Sequence, residues 1–306
     1  DIDRTGASVT LDQGQPRFGA AWDITGDARN VVRVSAGRFM DPSSLFLPQI
    51  AALDSTTYYW LSCSYFAPAQ GLDPSVCPSL GPPWRTDPEG WDPYGWTLTG
   101  VQGSTDAVLD PDLGAAYSDQ VILSYERVLW PRSSVELSLV AKRSKNLYED
   151  TCAANIPEPT EVEYCDGFIT TNLPQLERSY DALIVKLESR TLDWLTVLAS
   201  YTLSDSKGNQ ESDGYTDDWD LYPWHWVNRD GYLSNHHRHD LKLNGYALLP
   251  LDFTIAVNAG WRSGFRWTPT EYDYSLEEMA SGRYFTEPRG SRQGPSNSWL
   301  DLQISK

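Results

Sequence analysis

The lengths of the connections constrain this chain more than any single motif. Nine runs alternate apolar and polar residues with the two-residue period of a strand that has one apolar face. The segments between them are short and long in strict turn. Four are tight, at 26–30, 131–134, 191–194 and 250–252. Four are long, at 41–117, 149–177, 207–236 and 268–297. A soluble β-sandwich has no reason to sort its loops this way. An antiparallel barrel in a bacterial outer membrane does, because its periplasmic turns are short and its extracellular loops long.

The runs fall at 18–25, 31–40, 119–130, 135–144, 183–190, 195–203, 240–249, 253–262 and 300–305. In one, Phe253, Ile255, Val257, Ala259 and Trp261 share a face, and Thr254, Asn258 and Arg262 share the other. Lys142, Lys186, Glu188 and Arg262 fall on polar faces, where a water-filled lumen would spare them the cost of burial. Trp22, Trp130, Trp194, Tyr201, Trp261, Trp267 and Trp299 lie near strand ends and suit the two membrane interfaces. No stretch of 18 apolar residues is present, so no transmembrane helix is expected, which leaves a barrel open.

Charge follows the same division. The chain of 306 residues has a formal net charge of −18. Its four long segments hold 27 of the 42 acidic and 6 of the 24 basic residues, so they carry −21 and the remainder +3. Such acidity argues against nucleic acid as a partner. The four cysteines form two local pairs, Cys63 with Cys77 and Cys152 with Cys165, each within one polar, Pro-rich segment. With no C-x-x-C, two disulfides in an oxidising compartment are expected in place of a zinc site.

The ordered series of strands resembles the TonB-dependent receptors, and within them the Oar-like group with a carboxypeptidase-regulatory-like N-terminal domain. Pro16-Arg17-Phe18-Gly19, Asp23, Gly26-Asp27, Val32-Arg33 and Gly37-Arg38-Phe39 are similar to that group's strand–turn–strand signature. Tyr117-Ser118-Asp119-Gln120 leading to Ser124-Tyr125-Glu126 resembles its next strand. The run from Ala199 to Gly208 resembles a strand entering a long outer loop, Arg238-His239-Asp240, Leu249-Pro250 and Ser263-Gly264 a hairpin, and Leu300-Asp301-Leu302 a late strand. The resemblance implies a complete barrel of 22 strands, a plug and a TonB-contacting box. The plug and box are not in this sequence. Nine strands cannot close a barrel of even number, and open edges in hydrocarbon would leave backbone groups unpaired. The chain, which opens at Asp1 without Met or signal peptide, is therefore expected to be one part, spanning 1–306, of a single barrel domain whose plug and remaining strands lie elsewhere.

Candidate sites fall in the long segments. Tyr215, Trp219, Tyr222, Trp224 and Trp226 could stack a ligand or could pack their own loop. Asp213, Asp217, Asp218 and Asp220 could hold calcium through carboxylate oxygens. Their spacing is not that of an EF-hand, and a solvated acidic loop is the simpler reading. His225, His236, His237 and His239 suggest a metal, but only His237 and His239 could share a strand face. No nucleophile elbow, phosphate-binding glycine loop or fixed carboxylate pair is present, so neither catalysis nor a cofactor is expected. The expected function is uptake across the outer membrane, with lipid, the TonB complex and a siderophore, oligosaccharide or peptide as partners. The alternatives are a passive porin or surface-binding barrel, and a soluble periplasmic β-rich carbohydrate-active protein.

Overall fold

A computed structural model describes residues 11–40, 58–63, 96–102, 107–152, 168–211, 227–273 and 282–306. Nine strands form the wall: β1 (Arg17–Asp23), β2 (Asn30–Met40), β3 (Tyr117–Trp130), β4 (Ser133–Lys145), β5 (Arg178–Leu192), β6 (Leu195–Gly208), β7 (His239–Leu249), β8 (Phe253–Arg262) and β9 (Asn297–Ser305). Each pairs antiparallel with its sequence neighbour, from β1 at one edge to β9 at the other. A two-residue strand, Gly231–Tyr232, extends the sheet beside the upper end of β6. The nine runs of the sequence are these nine strands. The sheet does not close, so the structure is part of a barrel wall. No described helix is long and apolar enough to cross a membrane.

The tight connections have local causes. After β1 the Asp23 carboxylate accepts from the backbone N–H groups of Thr25, Gly26 and Ala28 at 3.2, 3.0 and 2.7 Å. This replaces ladder bonds that the turn cannot make. Between β3 and β4 two residues suffice, with Arg132 in the left-handed region at φ 60°. Between β7 and β8 the single turn Pro250–Asp252 also has left-handed residues, Leu251 and Asp252.

Register carries the apolar face across the whole sheet. One row runs Trp22, Val32, Tyr125, Leu137, Val185, Tyr201, Leu241 and Trp261, each residue opposite the next. Another runs Val197, Gly245, Val257 and Leu302. These side chains are open to their surroundings: Trp22 is 65% exposed, Leu137 42% and Leu302 63%. An apolar patch of this breadth has no place in water and marks a lipid contact.

The opposite face is polar and internally paired. Glu126 and Glu136 sit directly opposite one another. Each is answered by a cation on the outer neighbour, Arg33 at 2.7 Å and Lys186 at 3.6 Å. Farther round, Asp240 pairs with Arg262 at 3.0 Å and Lys242 at 3.4 Å, and Asn258 donates to Asp301 at 2.9 Å. Trp299 belongs to this lumen face and not to a membrane interface. It lies opposite Gly260, whose missing side chain leaves room for the indole: a Cβ there would sit 2.1 Å from the ring.

Above the apolar rows the lipid-facing side changes character. Arg38 lies opposite Asp119, and Asp119 opposite Arg143. Arg143 donates to both oxygens of Asp181 at 2.9 Å. Asp181 lies opposite Asp205, which accepts from Arg238. These charges stand toward the upper ends of their strands, far from the periplasmic turns that follow Trp130 and Leu192. At about 3.3 Å per residue and roughly 45° of tilt, a strand climbs about 25 Å, the height of an outer-membrane apolar band, in about eleven residues. Asp119 to Trp130 and Asp181 to Leu192 are stretches of that length. The row therefore marks the upper membrane boundary.

Candidate functional site

The long connections leave the wall above that boundary, and described residues at their roots pack together at the barrel mouth. The root of the first meets the root of the second in a small apolar core of Leu113, Ala116, Leu147, Tyr148, Leu173 and Leu176, none more than 4% exposed. Asn172 bridges the two segments. Its Nδ2 donates to the carbonyls of Gly114 at 3.0 Å and Asn146 at 2.7 Å, while its Oδ1 accepts from Gly114 N at 2.6 Å. Gly114 suits this approach: a Cβ there would sit 2.8 Å from Asn146 Nδ2 and displace that side chain.

A buried charged knot joins the connections that follow β4, β6 and β8. Arg229 and Glu149 are 1% and 0% exposed and 3.6 Å apart. Arg229 Nε donates to the Asn209 carbonyl at 2.7 Å. Gln210 donates to Glu149 at 3.1 Å and to the Tyr148 carbonyl. Arg289 pairs with Glu211 at 3.1 Å, and Glu211 also accepts from the Ser234 amide and hydroxyl. Removing one member would strand its partner's charge away from water, at about 3–5 kcal/mol.

The histidines take separate partners. His236 is buried, its Nδ1 accepts from the Ser206 amide at 3.1 Å, and its ring tilts against Tyr232 at 4.4 Å. Burial pulls its pKa down from 6.5 to about 4, with Asp205 opposing the shift, so it is neutral at pH 7. The His237 ring donates to the Ser263 carbonyl at 2.7 Å. His239 Nδ1 lies 2.7 Å from the Tyr201 hydroxyl, on the lipid-facing side, and its ring stacks near Trp261. His225 lies outside the described residues.

The residues expected to meet a ligand, Tyr215, Trp219, Tyr222, Trp224 and Trp226, lie outside the described residues, as do Asp213, Asp217, Asp218 and Asp220. Their segment springs from anchored roots: Glu211 before it is held by Ser234 and Arg289, and Arg229 after it belongs to the knot. Cys77 and Cys165 also lie outside, and of Cys63 and Cys152 only the backbones are described, at the ends of the strands Tyr58–Cys63 and Tyr148–Cys152. The knot was missed by pattern reading. The available signal was rarity: Arg229 and Arg289 are two of only six bases in segments holding 27 acids.

An antiparallel meander with a lipid-facing apolar side, a charged lumen side and folded connections at one end defines a wall segment of a bacterial outer-membrane β-barrel. The sequence agrees: residues 2–263 match the family model described as "Outer membrane beta barrel domain". The chain belongs to that family. No curated protein sequence matches it. The fold is similar to the outer membrane transporter YddB from Escherichia coli, with a TM-score of 0.55 at 9% identity, over 95% of this chain and 34% of that one. It is also similar to the ferric enterobactin receptor PfeA from Pseudomonas aeruginosa, with a TM-score of 0.52 at 14% identity, over 95% and 32%. The chain thus spans about a third of the length of these solved barrels.

Proposed function

We propose that this chain is part of the wall and mouth of a TonB-dependent receptor of the Oar-like group that takes up a ligand across the outer membrane. The supporting observation is the pairing of a lumen face lined with ion pairs and a mouth whose connections are tied at their roots. A wall of this kind surrounds a polar path, and anchored roots can present variable loops to a ligand. In this reading a plug, a TonB-contacting box and the remaining strands lie elsewhere in the full-length protein. The ligand is a siderophore, oligosaccharide or peptide held by the outer loops, with Tyr215, Trp219, Tyr222, Trp224 and Trp226 as stacking surface. Asp213, Asp217, Asp218 and Asp220 form an acidic loop able to take calcium, and the pairs Cys63–Cys77 and Cys152–Cys165 staple two loops. The protein acts by binding and transport and not by catalysis.

Uptake by cells carrying the full-length protein tests this, with ferric siderophores, oligosaccharides and peptides offered in turn. Energy-coupled uptake stops when TonB is deleted or the proton gradient is collapsed. Uptake that continues under both treatments identifies a passive porin instead.

A further inference from the structure

Just above the charged row, the lipid-facing side opens into a cleft of about 620 Å³ between the upper end of β6, the Gly231–Tyr232 strand and residues 288–291. Lys207 stands one lipid-facing position above Asp205 and lies opposite Tyr232 in register, so both side chains point to the lipid side. The Tyr232 ring carries two cations, with Lys207 Nζ 4.8 Å and Arg266 Cζ 4.8 Å from its centroid. Neither cation forms an ion pair among the described residues. The Nε of Arg266 is shielded from solvent and finds no hydrogen-bond acceptor there. This contrasts with the row below, where Arg38, Arg143 and Arg238 are each answered by an aspartate.

We propose that this cleft holds the phosphate of a lipid headgroup in the outer leaflet. Position selects a lipid, because the cleft continues the lipid-facing surface directly above its apolar band. Charge selects phosphate, because two positive groups converge there with no ion-pair partner among the described residues. A guanidinium presents paired donors that match phosphate oxygens, and the lysine adds a point charge. Of the other charged groups in the lining, Arg289 is neutralised by Glu211, and Glu177 and Asp230 are exposed. The two carboxylates set a limit: loss of either Lys207 or Arg266 leaves the lining with a negative excess that repels phosphate. The bound lipid would fasten the mouth to the leaflet at the root of the β6–β7 connection.

The test uses the purified full-length protein in detergent micelles, with bound lipid read by native mass spectrometry. The probes are lipid A, the same lipid stripped of phosphate, and inorganic phosphate. Lipid A is expected to be retained, and Lys207→Gln or Arg266→Gln to weaken it by about tenfold or more, the loss of one charge-assisted contact. Removing the lipid's phosphates should weaken it to a similar degree. Equal retention by wild type and both variants overturns the proposal. So does inorganic phosphate that displaces lipid A at equal concentration, since the site would then be one for the free ion. If Arg266→Gln fails to fold, Lys207→Gln, on an exposed side chain, decides alone.

Discussion

Replacing Val257 by arginine tests the assignment of faces most directly. Val257 is the middle of five lipid-facing positions on β8, with Phe253 and Trp261 each four residues away. Four residues at about 3.3 Å and roughly 45° of tilt place each end some 9 Å from Val257 along the membrane normal. The residue therefore lies near the centre of an apolar band about 25 Å tall. Its neighbours in register are Gly245 and Leu302, neither of which offers a charge partner. Arginine at that depth costs about 2–4 kcal/mol, or roughly 30- to 900-fold in the folding equilibrium constant. The adjacent Asn258 faces the lumen and already donates to Asp301 at 2.9 Å. Asn258→Arg can pair with that carboxylate and should change stability by no more than about 0.5 kcal/mol. The assay is urea unfolding of the full-length protein in lipid vesicles, with the folded fraction read as heat-modifiable mobility on gels. A neutral Val257→Arg, or an Asn258→Arg equally damaging, would show that the faces are reversed.

Three further outcomes follow from the geometry. Arg229→Met strands Glu149 in the buried knot, so the loop roots should loosen by about 3–5 kcal/mol while membrane insertion is kept; limited proteolysis of inserted protein reads this, and unchanged protection would deny the knot its role. His236 has a folded pKa of about 4, below its ordinary 6.5. As pH falls from 6.5 to 4 the opened segment takes up a proton that the closed one refuses, so closure is strongest above pH 6.5 and weakens toward pH 4. Exchange of the Ser206 amide, corrected for intrinsic rate, should quicken over that window in wild type and not in His236→Gln. Asp23→Ala removes the acceptor of three turn amides and should lower stability by about 1–2 kcal/mol in the same urea assay, an effect that Asp23→Asn partly restores.

The wall was legible in the sequence because its signal is local. A strand with one lipid-facing side must place an apolar residue at every second position, as Phe253 to Trp261 do, and no partner is needed to see it. Ends were less clear: β5 reads from Leu183 but begins at Arg178, because Asp181 and Ser179 continue the lipid-facing side as polar residues above the hydrocarbon. The mouth was not legible for the opposite reason. Glu149 meets Arg229 from a separate long connection, with two wall strands between them in the chain, and Asn172 holds Gly114 from across another hairpin. Ala107–Leu109 even pairs parallel with part of Phe168–Asn172. None of these contacts has a period. Trp299 shows a third limit, since its place depends on the glycine opposite it, on a different strand.

The asymmetry between tight and long connections has a thermodynamic side. Closing a flexible loop costs only about 0.6 kcal/mol more each time its length doubles. The connection between β2 and β3, from Met40 to Tyr117, is more than twice as long as the one between β6 and β7, from Gly208 to His239, and both join neighbouring strands of the same wall. The periplasmic turns enjoy no such latitude, because a residue added to a tight turn shifts register and swaps lipid-facing for lumen-facing side chains along a strand. Insertions and deletions are thus cheap on the cell surface and ruinous underneath. A protein built this way can change what it meets outside while the part that holds it in the membrane stays as it was.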